Sequence, residues 1–139
     1  MDDYMNALVI ANGDIKNYDI LKSVIKDVDF ILCVDGGVDH ILKINHKPHM
    51  VFGDLDSISE EGLSFIKKEN IAIERFPSIK DSTDTELGID YLVSQGYKEI
   101  TLMGVTGSRQ DHTLANIFLL DYLLEKNIKG KIVDNNNII

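Results

Sequence analysis

The chain has 139 residues, enough for one domain with a real core and too few for two comfortable ones. Its 14 basic and 23 acidic residues give a formal charge of −9, which excludes a general basic surface for nucleic acid or anionic membrane. Hydrophobic residues make up 44% and charged residues 27%, but no apolar run approaches the roughly 20 residues of a membrane span.

Met1-Asp2-Asp3 lacks the basic start of a signal peptide, and the single cysteine, Cys33, cannot form an internal disulfide. Both point to the cytoplasm, with Cys33 a small buried hydrophobe.

Ala7 to Ala11 is a short continuous apolar run, the pattern of a strand covered on both faces, and Asn12-Gly13-Asp14 ends it. Asn17 then suits the cap of a helix with Ile20, Leu21, Val24 and Ile25 at helical spacing. Phe30 to Val34 reads as the second strand, closed by Asp35-Gly36-Gly37, and a brief helix follows over 38–44 until Lys47-Pro48 blocks it. The third strand spans 49–52. Ser57 and Glu60 have capping-box spacing, which predicts a helix over 58–69.

Ile71 to Phe76 is the fourth strand, stopped by Pro77. A helix over 83–95 ends at Gly96, and the fifth strand, 100–103, leads into Gly104. A helix over 111–126 and a last strand over 131–133 complete the series. Six strands alternating with five helices predict an α/β fold: a three-layer α/β/α arrangement, Rossmann-like, around a mostly parallel six-stranded sheet. In such a sheet every loop that follows a strand lies along one edge, where ligands bind.

Two acidic groups fall on that edge. Gly53-Asp54-Leu55-Asp56-Ser57 closes the third strand, and extended geometry would turn Asp54 and Asp56 the same way. Paired carboxylates repel unless a cation lies between them, and hard oxygen ligands suit Mg²⁺ or Mn²⁺. The plainer reading makes Asp56 and Ser57 helix caps. Lys80-Asp81-Ser82-Thr83-Asp84 follows the fourth strand, with Asp81 and Asp84 three apart and Glu86 beyond. Capping by Asp81 or Ser82 explains one acid of this cluster, whereas a shared cation explains the collection.

The third group is Gly104 to Asn116. A glycine-bearing loop from strand to helix offers backbone N–H groups and a positive helix end to a phosphate, and Arg109 adds a forked donor. Arg109, His112 and Asn116 are spaced to share one helix face. For His112 alone, a satisfied structural histidine is favoured over a catalytic one, and ligand contact or site organisation over catalysis. No P-loop signature, no Gly-x-Gly-x-x-Gly and no zinc-ligand spacing occurs.

Together these motifs resemble the thiamine pyrophosphokinase family. The matching pieces are Asp35-Gly36-Gly37, Gly53-Asp54-Leu55-Asp56-Ser57, Lys80-Asp81-Ser82-Thr83-Asp84 and Gly104-x-x-Gly107-Ser108-Arg109-x-Asp111-His112-x-Leu114-x-Asn116. They come in the family's order; Ser108 stands where the family often has a second glycine. The resemblance implies transfer of pyrophosphate from ATP to the hydroxyl of thiamine, with release of AMP. It implies Asp54, Asp56 and Asp84 as ligands of Mg²⁺, with Asp81 supporting them or acting as base, and Arg109 completing the catalytic set.

Thr106, Gly107, Ser108 and Arg109 would hold the triphosphate. Asn12, Gly13, Asp35, Gly36, Gly37, Asp111, His112 and Asn116 would line the rest of the substrate site. The resemblance further implies a homodimer and a C-terminal all-β domain that contributes to thiamine binding. On that expectation residues 1–134 form the catalytic domain and 135–139 begin a truncated β domain. Two competing readings are a nucleotide-binding domain without turnover and an Asp-x-Asp metal-dependent sugar-nucleotide transferase.

Overall fold

Continuous apolar runs cannot leave their backbone polar groups unpaired, so in a computed structural model of the chain they pair side by side as a central sheet. The structure describes residues 5–13, 15–53, 58–74, 84–105 and 120–133. In chain order the elements are β1 (Asn6–Ile10), α1 (Tyr18–Ile25), β2 (Phe30–Val34), a 3₁₀ turn (Asp35–Gly37), α2 (Val38–Lys43) and β3 (Met50–Phe52). There follow α3 (Glu60–Glu69), β4 (Ala72–Glu74), α4 (Asp84–Ser94), β5 (Glu99–Met103), a helical stretch over residues 120–125 and β6 (Lys129–Ile132).

The strand order is β4-β3-β2-β1-β5-β6, and every described pairing is parallel. From β1 to β4 the chain steps one way across the sheet; then it jumps back over β1 to β5 and continues the other way. Right-handed crossovers therefore put α1, α2 and α3 on one face and α4 with residues 120–125 on the other. Side-chain alternation divides the core accordingly. Ala7, Val9, Leu32, Val34, Phe52, Ile100 and Leu102 pack with Ile89, Leu92 and Leu123. Leu8, Ile10, Ile31, Cys33, Val51 and Met103 pack with Leu21, Val38, Ile41 and Ile66.

The local signals hold where the chain alone decides them. Asn17 caps α1 by accepting from the Asp19 N–H at 3.0 Å. Gly96, at φ +92°, closes α4. Burial drives the Cys33 thiol far above its usual pKa, with the Asp39 charge adding to the effect.

Two described boundaries, the starts of α3 and β6, differ from expectation by more than one residue. The cap of α3 is Ser59, not Ser57: its Oγ accepts from the Gly62 N–H at 3.0 Å and donates to the Asp39 carboxylate at 2.6 Å. β4 begins at Ala72, one residue later than expected, and residues 75–76 of the expected strand lie outside the described residues. β6 begins at Lys129, its ladder to β5 starting opposite Glu99. Residues 134–139, and with them the expected start of a second domain, lie outside the described residues.

Candidate functional site

A doubly wound sheet opens a crevice where its strand order reverses, because the loops on either side diverge to opposite faces. Here the reversal lies between β1 and β5. The two strands stay laced together past their ends. Ala11 N–H donates to the Met103 carbonyl at 2.9 Å, and Gly13 N–H to the Gly104 carbonyl at 2.5 Å. Gly104 takes φ +69°, and a Cβ there would run into the Ala11 carbonyl. Glycine lets the β5 loop turn this close to the β1 loop.

The β2 end joins the same edge. A Cβ on Gly37 would strike the Ile10 carbonyl, and one on Gly36 would lie 2.7 Å from the Asn12 side-chain amide. Asn12, Gly13, Asp35, Gly36 and Gly37, all expected at the site, are therefore gathered around the ends of β1 and β2. Asp35 sits at φ +51°, a left-handed conformation that aspartate tolerates better than most residues. Gly53, just beyond β3, adopts φ +124°, and a Cβ on it would collide with the Asp35 carboxylate. Its N–H donates to the Glu74 carbonyl at 2.9 Å, which ties the exits of β3 and β4 together.

Asp84 opens α4, as expected of a first-turn acid, and its backbone is what the structure describes. Asp54, Asp56, Asp81, Thr106, Gly107, Ser108, Arg109, Asp111, His112 and Asn116 lie outside the described residues. Their flanks are fixed: Gly53 and Ile58 bracket the first pair, and Val105 precedes the Thr106 loop. Among the described residues no three His, Cys, Asp or Glu side chains are grouped to hold a metal.

Two further contacts at this edge carry no sequence signature. His40 of α2 bridges the Tyr18 hydroxyl, 2.7 Å from Nδ1, and the Gly13 carbonyl, 2.8 Å from Nε2. Asp39, next to it, holds the Ser59 hydroxyl at the start of α3. The only hint in the chain was the placement of this pair just after Asp35-Gly36-Gly37.

The sheet and its strand order define a doubly wound α/β domain with a candidate ligand site at the carboxyl edge. The chain belongs to a particular family within that class: the model of the thiamin pyrophosphokinase catalytic domain matches residues 21–132. A thiamine pyrophosphokinase of Bacillus subtilis (strain 168) is 37% identical over 106 residues, 76% of this chain and 50% of that protein. A crystal structure of thiamine pyrophosphokinase from Bacillus subtilis superposes with a TM-score of 0.81 at 29% identity, covering 96% of this chain and 62% of the other. The yeast thiamin pyrophosphokinase structure, at 20% identity, shares the fold with a TM-score of 0.82 over 96% of this chain and 60% of its own. The chain spans about half the length of the curated relatives it matches.

Proposed function

We propose that this chain carries the catalytic site of a thiamine pyrophosphokinase. It transfers the β,γ-pyrophosphoryl group of ATP to the hydroxyl of thiamine, giving thiamine diphosphate and AMP. One observation carries the reading: the family match over residues 21–132 spans β2 to β6, whose carboxyl ends lie along the same sheet edge as that of β1. Further support comes from the glycine contacts that let the loops after β1, β2 and β5 approach so closely.

In this reading the thiamine oxygen attacks the β-phosphorus, the bond to the AMP oxygen breaks, and Asp81 takes the hydroxyl proton. Thr106, Gly107, Ser108 and Arg109 hold the triphosphate through backbone N–H groups and the guanidinium fork. Asn12, Gly13 and Asp35–Gly37 line the nucleotide side, and Asp111, His112 and Asn116 complete the substrate-binding set.

The hard-oxygen donors Asp54, Asp56 and Asp84 suit Mg²⁺, and Asp35 adds a fourth acid at the same edge. A Mg²⁺ ion held by these carboxylates would neutralise phosphate charge. The remaining requirement is in-line placement of the attacking oxygen. The reading includes a homodimer and a cytoplasmic location.

The test mixes the chain with ATP, Mg²⁺ and thiamine. Formation of AMP together with thiamine diphosphate supports the kinase. ATP binding without AMP supports a nucleotide-binding domain without turnover.

A further inference from the structure

We infer that His40 is a positioning residue that fixes the Asn12–Gly13 loop at the crevice; this rests on the function proposed above. A carbonyl oxygen only accepts, so His40 Nε2 carries a proton and donates to the Gly13 carbonyl at 2.8 Å. In the neutral ring Nδ1 then accepts from the Tyr18 hydroxyl at 2.7 Å. The Tyr18 ring also lies beside the imidazole, centroids 5.8 Å apart, and the Lys43 ammonium stands 5.6 Å from its centre.

Gly13 is thus gripped from both sides. Its carbonyl is held by α2 through His40, and its N–H is held by the Gly104 carbonyl beyond β5. The bridge from His40 spans 27 residues of sequence and joins the first turn of α1, the body of α2 and the two loops flanking the crevice. Asn12, whose amide rests against Gly36, is the next residue back along the chain. A loop held at one residue by hydrogen bonds to both its N–H and its carbonyl has little freedom to swing. Holding it in place removes part of the ordering cost when a nucleotide binds.

His40 does not touch the reacting atoms in this account. It acts through the Gly13 peptide, and so its loss registers in two separable ways. The first is loop protection in the free protein; the second is affinity for nucleotide. A glutamine at position 40 can place its amide nitrogen near the position of Nε2 and restore the donor, whereas alanine cannot.

The test compares the 139-residue parent with His40→Ala, His40→Gln and Tyr18→Phe. It measures amide hydrogen exchange residue by residue and ATP·Mg²⁺ affinity by calorimetry. In His40→Ala the Gly13 N–H should exchange about tenfold faster while Leu8 to Ile10 keep parental rates. ATP·Mg²⁺ affinity should fall roughly fivefold, the scale of one hydrogen bond's net contribution. His40→Gln should recover most of both, and Tyr18→Phe should show a smaller loss of Gly13 protection.

Parental Gly13 exchange in His40→Ala overturns the tether. Faster exchange with parental ATP affinity, or a glutamine variant no better than alanine, overturns the positioning role. Should His40→Ala fail to fold, Tyr18→Phe against His40→Gln decides by the same criteria. A parent that binds no ATP refutes the proposed function instead, and the exchange data alone then decide whether His40 holds the loop.

Discussion

The Asp35 carboxylate lies where a side chain on residue 53 would have to stand. Both residues depart from ordinary backbone, Asp35 at φ +51° and Gly53 at φ +124°. The ends of β2 and β3 therefore lock together in a conformation that glycine adopts freely at position 53 but that costs Asp35. Backbone held in sparsely populated regions persists only where the surroundings over-determine it. Here the surroundings are the Glu74 carbonyl on one side and the Ala11 to Gly13 loop, with Gly36 and Gly37 against it, on the other.

Gly53→Ala should accordingly cost roughly 1–3 kcal/mol of stability, combining left-handed strain with the clash against Asp35. Denaturant melts give the number. A parental midpoint would show that the strand ends yield more easily than their packing implies.

The acidic edge predicts a joint effect of metal and nucleotide. Mg²⁺ and ATP together should raise the melting temperature well beyond the sum of their separate effects, because each completes the other's coordination. Asp54→Asn and Asp56→Asn should abolish that gain. Without metal they should be as stable as the parent or more so, since a like-charge contact disappears. Stabilisation by ATP in EDTA equal to that with Mg²⁺ would contradict the metal assignment.

Much of this architecture was legible in the chain because buried parallel strands are written as continuous apolar runs. Ala7 to Ile10 and Phe30 to Val34 could be little else, and Asn17 and Gly96 marked helix ends by local chemistry. What the sequence withheld is tertiary. Ser57 satisfied the capping pattern, yet Ser59 takes the cap, held by an aspartate 20 residues away. The jump of β5 to the far side of β1 leaves no periodic trace, so the position of the crevice could not be read beforehand. His40 was invisible for the same reason: Tyr18 and Gly13, which it bridges, each lie more than 20 residues distant.

The Lys47 ammonium stands 2.9 Å from the Glu69 carboxylate, and their hydrogen bond, reinforced by the Lys47 charge, lowers the Glu69 pKa below its ordinary 4.5. A depressed carboxylate contributes stability above its unfolded pKa and loses it as pH falls through the folded value. The contribution should therefore fade below about pH 4.5 and weaken in salt, because the Lys47 side of the pair is exposed. In Lys47→Met the NMR titration of Glu69 should move up towards 4.5. An unmoved titration would show that the pair does not persist in solution.

Cys33 should resist thiol reagents at pH 8 in the folded protein and react at once on unfolding, because burial suppresses its thiolate. Reaction in native buffer at the rate of a free thiol would mean that the sheet opens around β2.

The transfer itself is tested most directly by ATP labelled at the β-phosphate, incubated with the chain, Mg²⁺ and thiamine. The account predicts that the label appears in thiamine diphosphate, in amounts equal to the AMP formed, and that neither product appears when Asp54 is replaced by Asn. Label recovered in ADP, in free pyrophosphate or wholly in unreacted ATP would contradict it.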